Sequence, residues 1–481
     1  MALLKRFAVR WRSEAGYREV LVVAFPLILS TASWSVQHFV DRMFLTWYSP
    51  EAVAASMPAG ILNFTFMSLF IGTAGYVSTF IAQYHGAGRS DRIGSVLWQG
   101  LYVALAGAVL HLVMIPFAGD IFRFVGHEAQ VQSYETVYFR ILCLGAFPVI
   151  ASSAMSGFYS GLGRTWPVMW VNVISTGVNI LLDYALIFGH WGLPGLGVTG
   201  AAIATVAAMV VGFLLYCILI FRESNNRLYA VLKDFRFDRE LFGRLMRYGL
   251  PNGLQFFLDV SGFTVFLLLM GRLGTTSLAA TNIAFNINTL AFMPMIGFGI
   301  AVSVLVGQYI GKGRADLAER GVYSGFHMTL FYMSSVAAAY VFLPDLFLWP
   351  YAAQSDPVRF REISEMTVIL LRFVAVYSVF DTMNIIFASA IKGAGDTRFV
   401  VLMVVTLSLG VLVVPTYVAI SHMGMGLYVC WGIASAYVIL LGFAFLFRFL
   451  GGEWKEMKVI EEAPHLLPPS LPEAPLGDRE L

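Results

Sequence analysis

Residues 83–91 read QYHGAGRSD, and 225 positions further on residues 308–316 read QYIGKGRAD. The second copy keeps the Gln-Tyr pair, both glycines, the Arg and the Asp of the first. Two more pairs follow the same plan. GLGRT (161–165) matches GAGDT (393–397) 232 positions on, and Arg140 has Arg372 at that same offset. One matched motif is a coincidence; three in order at nearly constant offset indicate an internal duplication. The flanking sequence says what kind of unit has been doubled.

Of 481 residues, 58% are hydrophobic and only 12% are charged, against about 25% charged in a soluble domain. Apolar runs such as 57–82, 199–221, 398–420 and 427–447 each exceed the roughly 18 residues that argue for a membrane-crossing helix. About twelve such segments can be traced, near 20–46, 56–82, 94–117, 134–158, 166–189, 199–221, 247–271, 278–307, 322–345, 362–390, 398–421 and 427–449. The charged stretch FRESNNRLYAVLKDFRFDRELFGRLMR (221–247) divides them six and six. The expected fold is an all-α integral membrane protein of about 12 transmembrane helices in two six-helix bundles. Six spans return each copy to the side on which it began, so the bundles should be related by a pseudo-two-fold axis along the membrane normal. The expected organisation is a cytoplasmic basic N-terminus (1–19), a first lobe (20–221), a cytoplasmic linker (222–246), a second lobe (247–450) and a disordered cytoplasmic tail (451–481). The proline-rich end of that tail, EEAPHLLPPSLPEAPLGDREL, reads as disordered.

Orientation follows from the cations. Of 31 Lys and Arg, 24 lie in the N-terminus, the tail and the even-numbered loops. The positive-inside rule then expects a multi-pass plasma (inner) membrane protein with both termini cytoplasmic. MALLKRFAVRWRSEAG (1–16) is a basic amphipathic leader into the first span, without the cleavage pattern of a signal peptide.

Several function classes fall away. Cys143, Cys217 and Cys430 sit inside spans and read as packing residues, not disulfides or metal ligands. GQYIGKG (307–313) resembles a phosphate loop but lacks its spacing and the Ser/Thr after Lys. The eight histidines have no ligand spacing, and no nucleophile and base stand together. We expect no enzyme, no cofactor and no nucleic-acid partner. An ion channel is disfavoured by the unequal halves and the lack of a filter motif.

Carboxylates inside spans carry the functional signal, because each costs about 2.5–3.5 kcal/mol at a helix centre. Four stand out: Asp41, Asp183, Asp259 and Asp381. Asp41 lies near the outer end of span 1. Asn179 and Asp183 share a face of span 5 at i,i+4, again near the outer end. Thr205 lies one to two turns into span 6. Two carboxylates, an amide and a hydroxyl at similar depth suit Na⁺ or a shared proton. Asp259 falls near the middle of span 7, and Asp381 near the middle of span 10 with Tyr377 one turn away. Asp259 and Asp381 are expected as a midplane acidic pair facing a cavity. Asn282 and Asn286 read as helix–helix contacts, His38 as a packing histidine, and Arg140 and Arg372 as partners of acidic or carbonyl groups near the outer face.

The chain resembles the multidrug and toxic compound extrusion (MATE) family, NorM-like bacterial members in particular, over about residues 15–450. The matching stretches are FVDRMF (39–44), QYHGAGRSD, NILLDYALIFG (179–189), GAAIAT (200–205), GLPNGLQFFLDVSGF (249–263) and YSVFD (377–381). The resemblance implies a cation site at Asp41, Asn179, Asp183 and Thr205, and a second-lobe site at Asp259, Tyr377 and Asp381. The NorM-like pattern usually has Glu where this chain has Asp259. It further implies export of amphipathic cationic small molecules from the lipid bilayer in exchange for inward Na⁺ or H⁺, by alternating access and as a monomer. Some members of the family bend span 1 at the proline matching Pro26. A lipid-linked saccharide flippase is the alternative of the same overall fold. Its relatives have a basic cavity, whereas carboxylates outweigh basic residues in these spans.

Overall fold

The computed structural model describes residues 9–352 and 357–461. Ten of its helices are long and apolar enough to cross a membrane, or twelve if each of two bent pairs counts as one span, among the described residues. In chain order the first six are α1 (Tyr17–Tyr48), α2 (Pro50–Gly86), α3 (Ile93–Met114), α4 (Ala129–Gly161), α5 (Trp166–Phe188) and α6 (Val198–Ile220). The last six are α7 (Arg239–Gly271), α8 (Thr275–Gly311), α9 (Ala315–Phe342), α10 (Pro357–Ala394), α11 (Thr397–Ser421) and α12 (Leu427–Leu450). Helix α4 bends by 46° at Gly145, and α9 turns by 72° into the short helix Pro344–Ala352.

Local chemistry sets the boundaries. Ser49 caps α2 by accepting from the Ala52 N–H at 3.0 Å, and Pro50 follows at the first helical position, where no N–H is needed. Asp238 caps α7 by accepting from the N–H groups of Glu240 and Leu241. Helices α1 and α7 run unbroken through Pro26 and Pro251. On α3, Leu105, Val109, Leu112 and Val113 make one exposed apolar stripe. Such a face belongs against lipid, where a helix satisfies all its backbone groups internally.

The first six spans pack on one another, and so do the last six. Between the halves, α1 packs on α8, and α2 packs on both α7 and α8. Three apolar cores reveal the shape. One contains Phe44, Phe122, Phe139 and Ile187 and belongs wholly to the first half. Another, with Phe266, Tyr340, Val374 and Trp431, belongs wholly to the second. Both lie toward the face opposite the chain ends. The third, with Tyr84, Phe158, Ile310 and Phe387, takes residues from both halves at the face that carries the ends. The halves therefore merge at that terminal face and separate toward the opposite one.

The duplicated motifs make the merger. A Cβ on Gly86 would stand 2.0 Å from the Gln308 carbonyl oxygen, and one on Gly311 2.2 Å from that of Gln83. Only glycine permits backbones this close. Gln83 Nε2 donates to the carbonyls of Gly393 (3.1 Å) and Ala394 (3.2 Å), and Gln308 Nε2 donates to that of Gly161 (2.9 Å). Each Gln-Tyr motif thus binds the other half's Gly-x-Gly turn.

Residues 451–461, assigned above to a disordered tail, are packed. Trp454 is buried and stacks on Phe449, and Val459 is fully buried. The Val459 N–H donates to Gln83 Oε1 at 2.8 Å, and its carbonyl accepts from Arg244. A short aromatic and aliphatic run, WKEMKVI, precedes the prolines, and it is this run that docks. The remainder of the expected tail, 462–481, lies outside the described residues.

Candidate functional site

In the first half, Asp41 of α1 and Asp183 of α5 come within hydrogen-bonding reach of each other, with Asn179 beside Asp183. Asn179 and Asp183 have no solvent exposure. Both Asp183 oxygens, the Asn179 amide and one Asp41 oxygen are buried without a protein donor or acceptor at hydrogen-bond geometry. Adjacent carboxylates away from water repel unless a proton or a cation lies between them. Thr205 joins the group indirectly. Its hydroxyl donates to the Ala201 carbonyl at 2.9 Å, and Tyr138 of α4 reaches Thr205 while facing both carboxylates. Tyr138 escaped sequence reading because a tyrosine in an apolar run reads as packing.

In the second half, Asp259 is solvent-exposed although it lies in the middle of α7. A carboxylate at that depth and that open lines a water-filled space between the halves. Phe256 of α7 and Phe64 of α2 meet edge to face at 5.8 Å, one turn nearer the terminal face, and floor that space. Asp381 is brought within electrostatic reach of Asp259, but it is only 7% exposed and accepts from Asn384 Nδ2 at 2.9 Å. The two are neighbours; Asp259 alone is open to the space. The Tyr377 hydroxyl accepts from Asn288 of α8 at 3.3 Å rather than bonding Asp381. Tyr437 of α12 faces both carboxylates and lies near Ser408, the first residue of a π-helical turn (Ser408–Val413) in α11. Such turns recur at functional sites. Asn282 and Asn286, read as helix–helix contacts, are exposed on α8. Arg140 Nε does donate to a carbonyl, that of Ile115.

Two further residues complete the surroundings of Asp259. Gln255, one turn before it, donates from Nε2 to Asp259 Oδ2 at 3.3 Å. The same amide accepts from Lys392 Nζ at 3.1 Å. Gln255 and Asn384 stand at i−4 and i+3 from the two carboxylates, a spacing that could have flagged them. Lys392 sits at the terminal-face end of α10 and reads in sequence as a loop-flanking cation.

Two helical halves, each with internal carboxylates, joined at one face and parted at the other, define a polytopic membrane protein built around a one-sided space. Residues 26–185 and 251–418 match the MatE family model. The chain belongs to the MatE family of membrane transporters. It is similar to proteins named probable multidrug resistance protein NorM. That of Synechocystis is 25% identical over 448 residues, 92% of this chain and 96% of the relative. That of Pseudomonas aeruginosa is 28% identical over 454 residues, 93% and 91% of the two chains. Among solved structures, an outward-facing conformation of a multidrug resistance MATE family transporter of the MOP superfamily matches with TM-score 0.84 at 21% identity, over 93% of this chain and 98% of that one. A MOP superfamily transporter from Pyrococcus furiosus, for which a binding pocket of reverse polarity suggests a different function, matches with TM-score 0.83 at 21% identity and the same coverage. At that identity the two structures bear on the fold alone.

Proposed function

We propose that this protein is a secondary active multidrug exporter that exchanges amphipathic organic cations for inward Na⁺ or H⁺ by alternating access. The observation that carries the reading is Asp259, an open carboxylate at mid-span on the space between the halves. A cation in that space gains Coulombic attraction, and Phe64 and Phe256 add a π face. The names of the NorM relatives support the substrate class. The excess of Lys and Arg on the terminal side supports a cytoplasmic assignment for that face. The space then opens outward, and residues 20–221 and 247–450 act as the two lobes that rock.

Asp41, Asn179, Asp183 and Thr205 would bind the coupling ion, because buried oxygens of the first three lack donors and a cation or proton supplies what is missing. Asn179 and Thr205 offer neutral oxygens that a dehydrated Na⁺ needs and a proton does not. Antiport requires that ion and drug favour opposite states, each shifting the equilibrium only by its differential affinity. The test is efflux of a fluorescent cation from proteoliposomes under separately imposed Na⁺ and H⁺ gradients. Transport driven by one of them supports the reading. Movement of an anionic lipid-linked saccharide, with no cation transport, would replace it with the flippase.

A further inference from the structure

Asp259 is not an isolated charge. Gln255 can serve both neighbours in one orientation only, with its NH₂ toward the Asp259 carboxylate and its carbonyl toward the Lys392 ammonium. Lys392 is half-buried on the last turn of α10, and that turn is gripped from the first half. The Tyr76 hydroxyl donates to the Lys392 carbonyl at 2.7 Å, and Gln83 holds the next two carbonyls. An ammonium turned from a helix end into the bundle is expensive, and such groups almost always face a partner or a cavity. Here the partner is reached through one amide, so the ammonium stays close to the cavity floor without neutralising Asp259 by direct contact.

We infer that Lys392, held through Gln255 at the cavity floor, is a specificity-determining residue that makes the site select monovalent over divalent organic cations. With Asp259 and Asp381 ionised, the floor carries two negative charges, and Lys392 reduces that to a single one. A monocation then balances the site, whereas a dication leaves an excess positive charge facing a fixed ammonium. At about 4 Å a unit charge is worth about 1 kcal/mol in water and about 4 kcal/mol near a protein surface, so even in an open site it changes affinity by roughly tenfold. The inference rests on the cation-exporter reading, which fixes the sign of the substrate but not its charge number.

A matched pair of dyes tests it: ethidium, a monocation, and propidium, which adds a quaternary ammonium to the same ring. Equilibrium binding to the purified full chain, and initial efflux rates from proteoliposomes, are measured for both. Lys392→Met keeps length and volume while removing the charge, and should raise the propidium-to-ethidium affinity ratio about tenfold. Lys392→Arg keeps the charge and should leave the ratio within about threefold of wild type, since the flexible stem can still deliver a cation there. Gln255→Met removes the bridge but neither charge, so it should move the ratio the same way by a smaller factor. It also serves as the working variant if Lys392→Met does not fold. A merely structural lysine would weaken both dyes in parallel, and an unchanged ratio in Lys392→Met and Gln255→Met overturns the inference. Wild-type protein that binds neither dye sinks the cation reading and this inference with it. Binding with a shifted ratio but no gradient-driven efflux sinks only the transport reading.

Discussion

The strap at the end of the described chain gives the sharpest prediction. Glu461 accepts from the Tyr84 hydroxyl at 2.5 Å and from Arg89 Nη2 at 2.5 Å, both in the first half. Arg92 Nε stands 3.5 Å away, and Arg244 Nη1 of the second half 3.7 Å. The strap therefore holds both halves at the proposed cytoplasmic face. Burial opposes ionisation of Glu461, but the Tyr84 hydroxyl, a backbone N–H and Arg89 outweigh it and hold the carboxyl below its ordinary value of 4.5. Glu461→Gln removes the charge and keeps the shape. A charge-assisted hydrogen bond is worth about 1.5–3 kcal/mol net, and exposed ion pairs only about 0.2–1 kcal/mol. Glu461 is 24% exposed, so the short pair to Arg89 is partly screened and the longer contacts add little. The expected loss is about 2 kcal/mol, or about thirtyfold in the balance between closed and open forms of this face. Spin labels at Ala87 and Lys312, exposed across the seam, read that balance as a pulsed-EPR distance distribution. The variant should gain a longer distance at neutral pH. A depressed carboxylate contributes stability that is present above its unfolded pKa and lost as pH falls through the folded value. Wild type should therefore hold the short distance at neutral pH and begin to lose it only below about pH 4.5, while the variant shows no such step. Superimposable distributions at neutral pH would refute the strap as a fastening between the halves.

Three other outcomes are expected. Asp183→Asn should sharply reduce stabilisation of the purified protein by Na⁺ at fixed pH, read as the shift in melting temperature; an unchanged shift would locate the ion elsewhere, with Asp259 and Asp381 as the next site to test. Asp259→Asn should fold normally yet lose coupled cation efflux, and wild-type transport by it would reduce Asp259 to a helix contact. Gly311→Ala puts a methyl 2.2 Å from the Gln83 carbonyl oxygen, so the same EPR pair should report a seam held apart, and an unshifted distance would mean that the backbone yields at little cost.

The twelve spans were legible because hydropathy is a property of each window taken alone. So was the carboxylate inventory, since an Asp in an apolar run stands out without any neighbour. The first-half cluster could be assembled from depth alone, because Asp41, Asn179 and Asp183 lie on helices that run away from the terminal face, at comparable distances from their ends. What that reckoning lacked was azimuth. It gave Asp259 and Asp381 a common depth, but not that one is open to the space and the other is 7% exposed behind Asn384. Thr205 has the right depth, yet its hydroxyl donates to the Ala201 carbonyl.

The duplicated motifs mark a different limit. Their repetition is visible in sequence, yet their use is reciprocal: Gln83 binds the second half's Gly393 and Ala394, and Gln308 binds the first half's Gly161. A reading that treats each copy as a self-contained unit looks for the partner within the copy and misses it. Lys392 is hidden by the same habit. Its position just before GAGDT makes it look like a loop-edge cation, whereas Tyr76 and Gln83 hold that turn while its ammonium donates to Gln255. The seam at the terminal face and the charge proposed to tune the cavity thus share one helical turn. In the proposed rocking of the lobes, opening that face would release the grip on Lys392 and change the charge presented to a bound cation.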